Sequence, residues 1–503
     1  MKILNILSNN FSVDLRSLAI TRIAFGVLIL TDLLIRSRFL KDFYTDEGVL
    51  SLYALKRIYE GNYYTSIHAL SGDYYFQLFL FLIAVIFAFL LLIGFFTRIA
   101  TIICWALLVS LNLRNPLLLQ GGDIIFRCLL FWAIFIPWGE RFSVDSYIKK
   151  IKIEKTFIFS FPAAVFIIQI LFMYLFTGLL KTGDPWRKDF TAIYYTLSIE
   201  HFSFLLGPYI YKFPQLMKGL TFSIIWIELL GPLLLLIPYR NSLFRYILIG
   251  LLATFQLGLA LTLKIGLFPW INIASILILL PPSFWDSLPG FQNILSLNFS
   301  NLSKGIKYYF KGINNWYYYR LSVPRIFNKI INILLVVLII FVLFWNLKHS
   351  YPETFSFINN LKRVGKVTQL TQKWNMFAPK PYFSDGWYVI VGLLENGELV
   401  DVFRNGKEVS WDPPENRLDD YPSYRWRKLT RNMYKEKNKR FRRFYSKYLC
   451  DKWNKNKNGP KLKEIDMYFV SEYTLLDYKF REHKINKRYS YECRIKNNTG
   501  IKP

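Results

Sequence analysis

Lys181, Glu228 and Gln256 are polar groups set in or beside long apolar runs, and these are the residues whose chemistry the sequence must account for first. An ionisable side chain inside a bilayer is costly and marks a functional site by default. Lys181 closes one apolar run and stands just before Gly183–Asp184–Pro185–Trp186. Two readings of it are open. Its stem can carry the ammonium out to the headgroups, or the residue is held in a low-dielectric pocket. There, desolvation lowers its pKa and makes the neutral amine available as a base. Glu228 lies in the middle of another run, where it needs a cation or a donor, or else stays protonated. Gln256 faces either a partner helix or a cavity. Lys264, beside Ile265–Gly266, shares the ambiguity of Lys181.

Four further charges fall inside the apolar runs. Arg22 and Asp32 stand ten residues apart in the first, about 15 Å along a helix, so they cannot pair directly. Each needs a partner elsewhere or a place near an interface. Asp123 and Arg127 are four apart, on one helix face, and are expected to form a structural ion pair. No CxxC or Cys/His ligand spacing occurs, so no metal site is expected. Cys104 and Cys128 read as small core residues.

These residues must be positioned by helices. The chain has 503 residues, 53% of them hydrophobic and 18% aromatic, and a formal net charge of +29. Residues between Leu15 and Leu280 are nearly charge-free over long stretches, whereas the region from Lys348 to Pro503 is dense in Lys and Arg. That asymmetry predicts two units: a transmembrane helical body over 1–348 and a basic soluble domain over 349–503. A helix needs about 20 apolar residues to cross a bilayer core. Nine candidate runs occur: Leu18–Leu34, Tyr75–Phe96, Ile99–Leu113, Ile124–Trp138, Phe157–Leu180, Leu220–Ile237, Phe244–Leu263, Leu267–Leu280 and Ile326–Leu347. The third, fourth and eighth are short. The fold class is therefore mainly α, a polytopic bundle of about nine spans with a small C-terminal α+β domain. Met1–Val13 lacks the apolar core of a cleavable signal peptide.

Short-loop cations set orientation. Arg141, Lys149, Lys150, Lys152 and Lys155 follow the fourth run, and Lys304, Lys307, Lys311, Arg320 and Arg325 follow the eighth. If all nine runs span, both clusters lie on one side, which should be cytoplasmic, and this places the N-terminus in the cytoplasm and the C-terminal domain outside the inner membrane. Arg187, Lys188, Lys212 and Lys218 pull the other way. An outside location would let Cys450 and Cys493 form a disulfide, and two unrelated thiols are the other reading.

In the last third, Trp387–Leu394 and Glu398–Phe403 flank Asn396–Gly397, the pattern of a β-hairpin, and Asp466–Leu476 reads as a further strand. Tyr434–Asn454 reads as a strongly basic helix. Its Arg440, Arg442, Arg443 and Lys447 beside Phe441, Phe444 and Tyr445 invite a nucleic-acid reading, but no recognition motif surrounds them. Contact with anionic headgroups, or simple solvation, explains the charge. The lipid bilayer is the expected partner, and nucleic acid is not.

The order of several local patterns resembles the HTTM superfamily, the bacterial homologues of the vitamin K-dependent gamma-carboxylase. Arg22-x-x-x-Gly26 with Asp32 and Phe43–Tyr44–Thr45–Asp46–Glu47–Gly48–Val49–Leu50 carries the first part. Asn115–Pro116, Gly121–Gly122–Asp123, Pro137–Trp138–Gly139 and Ser143–Val144–Asp145 continue it, followed by Tyr174-x-x-x-Gly178-x-x-Lys181 and Trp186. Phe255–Pro269 fits as well, and so do Gln372–Pro379 and Tyr448–Leu449–Cys450 with Trp453–Asn454. The resemblance implies a membrane enzyme that oxygenates a reduced quinone of the vitamin K type. The strong base so formed removes a glutamate γ-proton, and carbon dioxide adds. It implies Lys181 as the base that deprotonates the quinol, Gln256 as a catalytic position, and Trp186 and Glu228 as substrate-binding residues. Quinone and a peptide or other small substrate are the implied partners. Gln256 stands where the carboxylases carry a histidine. It cannot titrate but can donate a hydrogen bond. His68, His201, His349 and His483 do not replace that histidine, and most of the long lumenal region of the animal carboxylases is missing. Against the enzyme stands a non-catalytic scaffold that binds lipid or peptide in an aromatic-lined pocket without a titratable pair. A transporter ranks last, since no inverted repeat is visible.

Overall fold

The apolar runs fold as helices whose ends are set by short polar signals. In chain order the body is built from α1 (Leu15–Ser37), α2 (Tyr74–Ile93), α3 (Thr97–Arg114), α4 (Gly121–Ala133), α5 (Phe161–Leu180), α6 (Pro214–Leu230), α7 (Asn241–Thr262), α8 (Phe268–Ile276) and α9 (Arg325–Ser350). The computed structural model describes residues 9–59, 66–149, 156–288, 290–294, 299–302, 304, 325–415, 420–456, 459–475 and 483–493. Lys150, Lys152, Lys155, Lys307, Lys311 and Arg320, which served the orientation argument, and Leu476 lie outside the described residues.

Among the described residues, seven helices are long and apolar enough to cross a membrane, with the apolar stretch of α6 continuing to Leu236. These account for seven of the about nine expected spans. The runs at Ile124–Trp138 and Leu267–Leu280 form α4, with 13 residues, and α8, with 9. At about 1.5 Å per residue neither reaches the roughly 30 Å of a bilayer core. Both are packed inside the body rather than on its surface.

Asp14 caps α1 by accepting from the Arg16 amide at 2.8 Å, and Asp73 caps α2 through Phe76. Asp145 accepts from the amides of Phe96 and Thr97 at 3.0 and 2.9 Å, which fixes the start of α3 from a distant turn. Arg22 closes the other side of that turn. Its guanidinium donates to the carbonyls of Leu91, at 2.9 Å, and Leu92 at the end of α2, and to Phe142. A cation thus meets the negative end of a helix. Gly94 sits at φ +68, and a Cβ there would lie 2.0 Å from Arg22 Nη1, so the turn requires glycine. The Phe43–Leu50 segment is held in the same way: Arg114 donates to Leu50 O at 2.7 Å and Asn115 to Phe43 O at 2.9 Å.

In the last third, a four-stranded antiparallel sheet runs in the order β4–β3–β5–β6, where β3 is Ser384–Leu394, β4 Leu399–Asp401, β5 Leu462–Tyr473 and β6 Lys484–Glu492. A two-stranded pair, β1 (Val13–Asp14) with β2 (Phe157–Ile158), lies in the body. The hairpin across Asn396–Gly397 and the strand within Asp466–Leu476 match the reading of the sequence, and Cys450 and Cys493 are disulfide-bonded. Two helices pack against the sheet, α10 (Tyr424–Tyr434) and α11 (Lys439–Asn456). On α11, Phe441 and Tyr445 are buried while Arg440, Arg443 and Lys447 are exposed, so these aromatics are core residues rather than a stacking platform for bases.

The tail docks through charge. Asp123 does not pair with Arg127, contrary to expectation. Its carboxylate turns to the start of α4, accepting the Gln120 amide at 2.9 Å, and two guanidinium groups from other elements reach it there. Arg36 contacts Asp32 at 2.7 Å and Asp123 at 2.6 Å, and Arg425 of α10 contacts the same two carboxylates at 2.6 and 3.0 Å. Arg127 instead donates to Thr371 O at 2.6 Å. The quartet is neutral and its side chains are at most 6% exposed. Removing one partner from such a buried pair leaves a charge uncompensated, at roughly 3–5 kcal/mol. Arg425→Ala is therefore expected to lower the thermal unfolding temperature in detergent sharply. The triple change Arg425→Ala, Asp32→Asn, Asp123→Asn should recover part of that loss.

Candidate functional site

Lys181 follows the last turn of α5, and the chain turns sharply after it because Pro185 opens a new short helix, Asp184–Arg187. Arg187 reaches back to donate to Lys181 O at 2.8 Å and Gly178 O at 3.0 Å, pinning the turn to the C-terminal carbonyls of α5. Tyr174, Gly178 and Lys181 share one face of the helix. Gly178 lets α6 come close: a Cβ there would meet Leu229 Cδ2 at 2.9 Å and Glu228 Cβ at 3.2 Å. That approach brings Glu228 to Lys181. Lys181 Nζ lies 2.7 Å from each carboxylate oxygen, and the side chains are 5% and 3% exposed. The Trp186 ring lies 4.3 Å from Nζ, within cation–π range.

The pair sits at the wall of a cavity of about 430 Å³ between α5, α6 and α7. Gln256 of α7 also lines it and donates to Tyr174 OH at 2.9 Å, while its Oε1 has no hydrogen-bond partner among the described residues. Phe268, Met376 and Phe377 close the cavity from the tail side. The Gln372–Pro379 segment is fixed there. Gln372 is buried and bonds Gln169 at 2.8 Å, Phe377 O accepts from Trp186 Nε1 at 2.8 Å, and Pro379 O accepts from the Gly183 amide at 3.0 Å. On the opposite side the lining includes Ser223, Gly250, Thr254 and Gly258, all exposed on the outer surface of α6 and α7. A Cβ added at Gly250 or Gly258 would meet nothing within 4 Å. The cavity therefore reaches the apolar flank of the bundle between these two helices.

The structure thus brings together Lys181, Trp186, Glu228 and Gln256 and keeps Arg22, Asp32, Asp123 and Arg127 apart from them. Lys264 does not line the cavity. Its backbone pairs with Phe202 at 2.9 Å and accepts from Arg427. None of the four histidines lines it either. Reading the sequence missed the role of Tyr174, Met376 and Phe377 in the cavity and of Arg36 and Arg425 in the quartet. Arg36 had a local signal, four residues after Asp32. Arg425 had none.

A polytopic bundle with an acid–base pair sealed at the end of an apolar cavity defines an integral membrane protein with an intramembrane polar site. The family model of the HTTM domain matches residues 10–285, more than half of the chain, so the protein belongs to that carboxylase-related membrane family. No curated protein and no solved structure matches it.

Glu228 and Lys181 stabilise the body only as a pair. Glu228→Ala alone is expected to destabilise the protein by about 3–5 kcal/mol, whereas Lys181→Met with Glu228→Met should be close to neutral. A double-mutant cycle on denaturation midpoints in detergent measures the coupling.

Proposed function

We propose that the protein is a carboxylase-like membrane enzyme acting on a quinol or another lipid-soluble hydroxylic substrate, with Lys181 as base. The observation that carries this reading is the buried Lys181–Glu228 pair facing an apolar cavity that reaches the lipid-facing flank. The cavity is of the size range that holds small molecules and offers few, convergent polar groups. Its polar end suits a quinol head. Gln256 Oε1 is a buried acceptor in need of a donor, Lys181 and Glu228 supply the proton chemistry, and the aromatic wall excludes water. A reduced quinone bound there would supply the oxygen-reactive ring.

The acid–base step belongs to the chain's own residues. A proton passes from Lys181 Nζ to the Glu228 carboxylate, leaving a neutral amine and a carboxylic acid. The amine then takes the proton of a hydroxyl bound at its side, so that the ammonium re-forms and the oxygen is left as an anion. Trp186 favours the ammonium through its ring face, and Gln256, held by Tyr174, orients the hydroxyl. Gln256 is thereby a positioning group rather than a titrating one. The scaffold reading, a lipid or peptide binder without chemistry, expects no titratable pair in the pocket, and the presence of Lys181 with Glu228 favours the enzyme.

Purified protein supplied with reduced naphthoquinone, oxygen and labelled carbon dioxide is expected to form epoxide, and Lys181→Ala to lose at least about 100-fold in rate, the usual worth of a general base. No turnover with any quinol, beside intact lipid binding, would leave the scaffold as the answer.

We further propose that residues 349–503 form an extracytoplasmic domain on an inner-membrane body whose N-terminus is cytoplasmic. Arg425 docks near the C-terminal end of α1, whereas Ser17 near its start bonds Leu280 O, and the Cys450–Cys493 disulfide suits an oxidising compartment. Alkaline phosphatase fused after Pro503 should be active and a cytoplasm-dependent fluorescent fusion there should be dark. The reverse pattern would invert the topology.

A further inference from the structure

A second, smaller cavity of about 170 Å³ lies at the junction of the body and the sheet. It is separated from the Lys181 cavity by Phe202 and Phe377, whose ring centroids are 6.0 Å apart. Arg427, Arg431 and Lys435, spaced four residues apart on α10 and its C-cap, all line it. Among the described residues lining it, Asp385 is the one acid. That carboxylate is engaged, accepting from His201 Nδ1 at 2.5 Å, the Gly386 amide at 2.8 Å and the Glu200 amide at 2.9 Å. Arg427 is also engaged, donating to the carbonyls of His201 and Lys264. Arg431 forms no salt bridge among the described residues: its guanidinium stacks 3.9 Å from the Tyr382 ring centroid and hydrogen-bonds the same tyrosine. Lys435 Nζ donates to Asn432 Oδ1 at 3.3 Å and likewise meets no carboxylate among the described residues. Burial holds Arg431 and Lys435 below their ordinary ranges, with repulsion from Arg431 adding to the effect at Lys435, and burial together with the repulsion of Arg431 and Lys435 pushes neighbouring Lys428 down to about 8. The His201 imidazole is likewise held down by burial, so it adds little to the charge opposing Asp385.

We propose that this pocket binds a small carboxylate, with the anion between Arg431 and Lys435 and a short carbon stem among Tyr382, Tyr421 and Phe469. Two half-buried cations without a salt bridge among the described residues, set beside aromatic walls, are the arrangement that a single anion completes. A planar carboxylate fits the guanidinium fork. A phosphate needs more donors than remain once Arg427 is committed to backbone carbonyls, and it gains nothing from the aromatic walls. The site stands independently of any chemistry at Lys181.

Calorimetric titration of the full chain in nanodiscs tests it with butyrate, the neutral isostere butanamide and inorganic phosphate. Butyrate should bind and butanamide should not. Arg431→Gln and Lys435→Gln should each weaken butyrate at least about tenfold, as expected for a charge-assisted hydrogen bond, at an unchanged unfolding temperature. Tyr382→Phe, which keeps the wall, should bind within about threefold of the wild type, the spread common to single contacts. Absence of butyrate binding, equal binding of butanamide, phosphate binding at least as tight as butyrate, or butyrate binding indifferent to both cation substitutions would each overturn the proposal.

Discussion

A charge withdrawn from water must find a counter-charge or a set of backbone dipoles within the protein, and Asp32 and Asp123 find counter-charges in Arg36 and Arg425. This quartet joins α1, α4 and α10, three elements from distant parts of the chain. None of the four could be buried alone. With Arg425 in place, α10 lies against the body, Tyr424 packs on Gly266, and the sheet follows. The Gln372–Pro379 segment is then held over the cavity, where Met376 and Phe377 become its wall. The docked tail and the closed cavity therefore depend on one neutral cluster of charges.

The same rule operates at Lys181, with a different outcome. Two ions meet there instead of four, and one side of the pair faces an apolar cavity. A cluster saturated on all sides is structural, as the quartet of Asp32, Arg36, Asp123 and Arg425 illustrates. A pair with an open face can exchange a proton with whatever occupies that face. Low dielectric narrows the gap between its charged and neutral forms. The exposed glycines at Gly250 and Gly258 leave the flank between α6 and α7 uncovered, which suits a ligand arriving through lipid rather than through water.

The two cavities differ in the solvent they meet. One opens between membrane helices and is almost wholly apolar. The other lies between the body and the sheet and is lined by cations and tyrosines. Phe202 and Phe377 stand between them, so a structural change at one has a short path to the other.

Much of this was legible in the residues. Apolar runs of sufficient length must become helices in a bilayer because the backbone has no other way to satisfy its polar groups. Seven of the nine runs form helices long enough to cross, and the hairpin at Asn396–Gly397 followed from turn chemistry. Lys181, Glu228 and Gln256 stood out because polar groups in apolar runs demand an explanation, and they proved to be neighbours. What periodicity could not supply was partnership. Asp123 and Arg127 had the right spacing for an ion pair, yet spacing on a helix states only what is possible, and two stronger donors from elsewhere claimed the aspartate. The fourth and eighth runs, likewise, form helices of only 13 and 9 residues, packed within the body. By itself the sequence determined which segments form apolar helices and which side chains need a partner, since both follow from the local free energy of burial. Only the tertiary structure decided which partner each received and which pair kept an open face, because those choices depend on groups hundreds of residues apart meeting in one place.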